Sequence, residues 1–150
     1  MRLRILTIFV LAMTLVATPL TAQELRDASE SARAWLNDYR AKKNAPALGT
    51  SPQLTKAAAA HARDMARKGF FSHQGSDGSS VADRVRRQGY GYCFVAENIA
   101  KGQRDLGAVL QSWAGSKGHR RNMLSREARD FALVRGPDNI WVMVLGRPGC

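Results

Sequence analysis

Ile140-Trp141-Val142-Met143-Val144-Leu145 is apolar at every position. A strand sends alternate side chains to opposite faces, so a run with no polar side predicts a strand covered on both. Phe131 to Arg135 reads as a strand before it, and Gly136-Pro137-Asp138-Asn139 as the turn between them. The chain therefore ends in a buried hairpin and must supply elements to cover it.

Upstream, helical periodicity supplies them. Leu25 to Lys43 carries Ala28, Ala32, Trp35, Leu36 and Tyr39 at three- and four-residue steps, which predicts a first helix. Ser51-Pro52 is a helix start, with serine as cap and proline in the first turn. The second helix runs to about Lys68, buries Leu54, Ala57, Ala58, His61, Ala62 and Met65, and stops at Gly69. After the polar loop Gln74 to Ser80, with a turn at Asp77-Gly78, a short third helix spans about Ser79 to Gln88. Tyr90 to Ala100 is extended. Asp105 to Ala114 forms a fourth helix, broken by Gly115 to Gly118, with His119 just past the break. Helices followed by a hairpin, with one extended segment between, predict an α+β fold with helices packed on a small antiparallel sheet.

The N-terminus addresses the compartment. Arg2 and Arg4 precede the apolar run Ile5 to Val16, then Pro19 and Leu20-Thr21-Ala22. That order reads as a signal peptide over 1–22, with an uncleaved anchor as the alternative. The run is shorter than the roughly 20 residues that span a bilayer. Cleavage after Ala22 leaves 23–150, one domain and a monomer, with no further transmembrane segment. The expected location is exported, either secreted or periplasmic.

The full chain carries a net charge of +11, and loss of Arg2 and Arg4 leaves +9. Such a charge favours anionic surfaces. The basic residues are scattered among acids, apart from small clusters at Arg84-Arg86-Arg87 and Arg120-Arg121, and carry no nucleic-acid-binding motif, so no specific nucleic acid is expected. Cys93 and Cys150 are expected to pair in an exported chain.

Three histidines are available. His61, in an alanine-rich stripe, reads as a hydrogen-bonded core residue. His73 and His119 lie at junctions, where sites tend to form. Glu97, within Phe94-Val95-Ala96-Glu97-Asn98-Ile99-Ala100, is a carboxylate in a segment that looks buried, and it needs a partner there. Either it takes a hydrogen bond from a backbone amide or an arginine, or it faces His73 and His119. Two imidazoles beside a carboxylate suit a divalent metal or acid–base chemistry. Ser116 is a candidate nucleophile without an activating triad, and no G-x-S-x-G or H-E-x-x-H motif is present.

Five segments in order resemble the CAP (SCP) superfamily of cysteine-rich secretory, antigen 5 and plant pathogenesis-related proteins, in its short bacterial secreted form. They are Leu36-Asn37-Asp38-Tyr39-Arg40, Leu54 with Ala57 to Met65, Phe71-Ser72-His73 with Asp77-Gly78, Ala96-Glu97-Asn98-Ile99-Ala100, and Trp113 to Met123. The resemblance implies a three-layer α-β-α sandwich in which His73, Glu97 and His119 converge in one cleft. Ser116 stands where fuller members carry a second glutamate, which weakens any carry-over of metal binding or catalysis. Zinc through His73 and His119, with Glu97 orienting a histidine or bound water, is the expected metal arrangement. Asn98 and Asn122 are expected to brace the loops, and Asp77 and Gly78 to shape their turn.

Three functions follow from this reading. The first is binding of an envelope or extracellular ligand (lipid, glycan or protein), with an anionic or amphiphilic envelope component as partner. The second is a metal-assisted hydrolase using His73 and His119, with Glu97 as general base. The third is an interaction module with a vestigial cleft, bound through Arg120 and Arg121.

Overall fold

The computed structural model describes residues 24–150, so the signal-peptide segment lies outside the described residues. The elements in chain order are β1 (Arg26–Asp27), α1 (Ser29–Ala41), β2 (Gly49–Thr50), α2 (Pro52–Lys68), α3 (Val81–Arg87), β3 (Tyr92–Lys101), α4 (Leu106–Gly115), α5 (Lys117–Met123), β4 (Asp130–Arg135) and β5 (Ile140–Pro148). A 3-10 turn, Pro137–Asn139, joins the last two strands.

The all-apolar strand is central. The sheet order is β1-β4-β5-β3, with β2 also on β4. Phe131, Leu133, Trp141, Met143 and Leu145 face a core built by α1, α4 and α5. Their neighbours Ala132, Val134, Ile140, Val142 and Val144 face a second core built by α2 and α3. Both faces of β5 are thus covered by helices, giving an α-β-α sandwich.

The helix boundaries have local causes. Ser51 accepts from the Leu54 amide at the start of α2, and Gly69 closes the helix at φ +68°. Ser80 and Asp83 form a reciprocal capping box on α3. Asp105 caps α4 through the Ala108 amide. At the other end of the sheet, a Cβ on Gly146 would lie 2.7 Å from the Tyr90 ring. Glycine there lets Tyr90 lie across β5 and donate to Asp130 Oδ2 at 2.8 Å.

Three sequence expectations are revised. The first helix begins at Ser29 instead of Leu25, because Arg26 and Asp27 pair with Arg135 and Val134 of β4. The sheet is not wholly antiparallel, since Gly49 and Thr50 pair with β4 in parallel. The break at Gly115 to Gly118 contracts to Ser116, whose extended backbone (φ −90°, ψ 125°) separates α4 from α5. His119 consequently lies within α5, not beyond a loop.

Arg40 ties the layer that carries His119. It is fully buried and donates to the carbonyls of Pro46, Met123 and Ser125 at 2.7, 2.6 and 3.0 Å. Burial lowers its pKa to about 10. The cation sits at the C-terminal end of α5, where the helix dipole favours positive charge.

Cys93 and Cys150 form a disulfide, with Cα atoms 5.3 Å apart. The pairing of β3 with β5 shifts between Tyr92 and Phe94. Cys93 is thus the extra residue of a bulge, turned off the ladder toward Cys150. A bridge across 57 residues of sequence stabilises by about 4 kcal/mol in the chain-entropy model. Reduction, or Cys93→Ser with Cys150→Ser, is expected to lower the melting temperature by roughly 10 °C. Calorimetry with and without reductant checks this, and an unchanged midpoint would contradict it.

Candidate functional site

The site grows from the register of β3. Glu97 stands opposite Val144, and Asn98 opposite Met143. Directly opposed residues share a face, so Glu97 points toward α2 and α3 while Asn98 points toward α4 and α5. β3 is an edge strand, and the candidate residues reach over that edge from both layers.

On the first face, the Glu97 side chain is 2% exposed and both oxygens are engaged. Oε2 accepts from Arg84 Nη2 at 2.7 Å, and Oε1 meets His73 Nδ1 at 2.8 Å. Arg84 also donates to the carbonyls of Ser79 and His73, so one guanidinium holds the carboxylate and the loop that bears the histidine. The sequence placed Arg84 in a surface cluster. It is buried instead, and it is the arginine partner that a buried Glu97 required. Val85, next to it, is fully buried, and that apolar neighbour in a three-arginine stretch was the available signal that this helix turns one arginine inward.

His73 is 60% exposed at its side chain. The bond to Glu97 raises its pKa, against opposing contributions from burial and Arg84. With Nδ1–H committed to Glu97, Nε2 is left to face solvent or a ligand. His61 is fully buried in α2, its Nε2 donates to Ser72 O at 2.9 Å, and burial pushes its pKa down.

On the second face, Asn98 Nδ2 donates to His119 O at 3.1 Å. Asn122 Nδ2 donates to Asn98 Oδ1 and to Glu97 O. This asparagine pair clasps α5 to β3, the bracing expected of both residues. The His119 ring lies 6.2 Å, centroid to centroid, from that of Trp113, whose Nε1 donates to Ile99 O. Burial lowers the His119 pKa, and the His73 charge lowers it further, so the two imidazoles lie within each other's electrostatic reach. Ser116 is half-buried at the α4–α5 junction, with its backbone bonded to Trp113 and Arg120. Asp77 accepts from Ser79 and Arg87, and Gly78 takes φ +79°, so both shape the turn.

The profile of the cysteine-rich secretory protein family, CAP, matches residues 34–143. The chain belongs to that family. It is 37% identical over 89 residues to the Bacillus subtilis (strain 168) protein YkwD, covering 59% of this chain and 35% of that protein. It is 29% identical over 91 residues to the membrane protein YlbC of the same organism, covering 61% and 26%. The CAP domain thus spans about a third or less of these relatives' length. Among solved structures, an extracellular SCP-domain protein from Bacillus anthracis superposes with TM-score 0.74 at 29% identity, over 79% of this chain and 40% of that one. An outer surface protein from Borrelia burgdorferi shares the fold at TM-score 0.74 and 19% identity, over 85% and 99% of the two chains.

The family resemblance also raised zinc. Among the described residues no three His, Cys, Asp or Glu side chains converge as a metal-holding group, and the Glu97 oxygens are already engaged. Zinc sites take three or four protein donors, so this CAP chain offers a resident zinc ion a poor fit.

Two outcomes test the cluster. Arg84→Met leaves Glu97 buried without its cation and is expected to cost about 3–5 kcal/mol, measured by denaturant titration. Arg84→Met with Glu97→Leu should recover most of that loss. The raised His73 pKa adds stability that is complete below the unfolded value of about 6.5 and disappears as pH rises through the folded value. The stability difference between wild type and His73→Ala should therefore be larger at about pH 6 than at about pH 8.5; a pH-independent difference would contradict the ion pair.

Proposed function

We propose that this CAP chain is exported and binds an anionic ligand of the envelope or its surroundings through His73 and His119. The supporting observation is the engagement of Glu97. A carboxylate with both oxygens bonded and almost no exposed surface orients His73 and does not itself reach a substrate. What faces outward is an imidazole inclined to carry a proton, with a second imidazole within its field. An anion lying between them favours protonation of both and relieves their mutual repulsion. The net charge of +9 left after loss of Arg2 and Arg4 steers such ligands toward the surface. Export is supported by two relatives that are themselves extracellular and outer-surface proteins, and no helix among the described residues is long and apolar enough to cross a membrane.

The hydrolase reading draws on the same pair, since a carboxylate-bound histidine is a general base. In that case the base is His73, not Glu97.

The test measures binding to phosphatidylglycerol vesicles and to a soluble acidic glycan, with phosphatidylcholine vesicles as control. Binding to an anionic probe should be tighter at about pH 6 than at about pH 8. His73→Ala and His119→Ala should each weaken it by about tenfold. Binding untouched by both variants but lost on Arg120→Glu with Arg121→Glu would overturn the proposal for an interaction surface. Turnover of an ester or peptide substrate lost in His73→Ala would overturn it for the enzyme.

A further inference from the structure

The outer side of α2 carries charge that the domain itself does not use. Lys56, Arg63 and Arg67 recur at steps of seven and four residues, which places them on one side of the helix. The opposite side is the one α2 buries, with Leu54, Ala58, Ala62 and Met65 in the core. Lys68 adds a fourth cation at the end of the stripe. All four are exposed, and none forms an ion pair among the described residues. Asp64, the single acid of α2, is engaged by the amide and hydroxyl of Ser76. The helix dipole favours Arg67 and Lys68 in the last turn, but its reach does not extend back to Arg63 and Lys56.

An aromatic ring stands just past this stripe. The chain leaves α2 through Gly69 in the left-handed region. Phe70 then packs against the core beneath α2, and the Ser72 carbonyl is held by His61. Between these two anchored neighbours Phe71 is left 47% exposed, the large apolar side chain that the described residues leave in water. A lone exposed apolar residue is ordinary on a protein surface. This one follows Arg67 by four residues and is presented by a backbone fixed on both sides. Unpaired cations beside an exposed ring match the two layers of a lipid surface, phosphate outside and acyl chains beneath. A soluble polyanion matches only the cations.

We propose that the outer side of α2 docks on an anionic bilayer, with Lys56, Arg63 and Arg67 against lipid phosphates and the Phe71 ring set into the headgroup boundary. The docking brings the loop that bears His73 to the membrane surface. It goes beyond the reading of His73 and His119 as an anion site and stands without it.

Sedimentation with phosphatidylglycerol vesicles at about pH 8.5, where imidazoles lose their charge, tests this with phosphatidylcholine vesicles as control. Lys56→Gln with Arg63→Gln and Arg67→Gln should weaken binding about a hundredfold and remove most of its salt dependence. Phe71→Ala should weaken it about tenfold. All four side chains are exposed, so both variants should keep the wild-type melting temperature. Phe71→Trp reads insertion: its fluorescence above the wild-type background should be quenched by lipids brominated in the acyl chain. That quenching should persist in Phe71→Trp with His73→Ala and His119→Ala, so failure of the anion-site reading leaves it intact. Vesicle binding untouched by the triple variant would overturn the proposal, as would an unquenched Trp at saturating lipid. Equal binding to dextran sulfate, with Phe71→Ala without effect, would replace the bilayer with a soluble acidic polymer.

Discussion

A carboxylate removed from water at the edge of a sheet is the constraint around which this CAP domain is arranged. Glu97 is tolerable only because a guanidinium and an imidazole reach it together. That demand propagates outward. Arg84 must come from a helix placed over the edge strand, so α3 is short, firmly capped and docked through Val85 into the core beneath it. The same guanidinium binds the carbonyls of Ser79 and His73, so the loop between α2 and α3 has its shape set at both ends. A surface histidine thereby acquires a fixed orientation from a group that is itself out of sight.

The opposite layer is positioned by neutral and cationic hydrogen bonds instead of a buried ion pair. Asn98 and Asn122 fasten α5 to the edge strand, and Arg40 holds the far end of that helix by its last carbonyls. Adjacent residues on one strand therefore serve two different layers. Glu97 organises α2 and α3, and Asn98 organises α4 and α5. His73 and the helix that bears His119 are each fixed to β3, because each layer is fastened independently to one of two consecutive positions of that strand.

Much of this arrangement is readable from residue order. The unbroken apolar run of β5 requires cover on both faces, and serine, proline and glycine mark the ends of α2 as the structure has them. Glu97 draws attention because a charge in an apolar strand needs a partner. Its arginine is only half legible: Val85 signals that one side of the stretch is buried, but three arginines in four residues otherwise look like a solvated face, and only tertiary packing shows which one turns inward. The two-residue strands β1 and β2 are equally silent. They have no periodicity of their own and exist because the edge of β4 offers unpaired backbone groups. Gly115 and Gly118 suggest a loop before His119, yet Gly118 is carried inside α5, where packing against β3 outweighs glycine's low helix propensity.

The sheet order has a bearing on how the chain acquires its structure. Residues 26–27 wait for 134–135, 49–50 for 130–131, and the edge strand from 92 for residues up to 148. Only the last hairpin finds its partner nearby. Nearly every ladder is thus a distant closure, a topology that slows the search for the native state. Both cores rest on strands that follow every α-helix of the domain in sequence, so the helices have nothing to cover until that hairpin joins them. The domain therefore closes as a clasp does: the hairpin is the piece that locks it, and the chain stays open for as long as those two strands are held away from the helices.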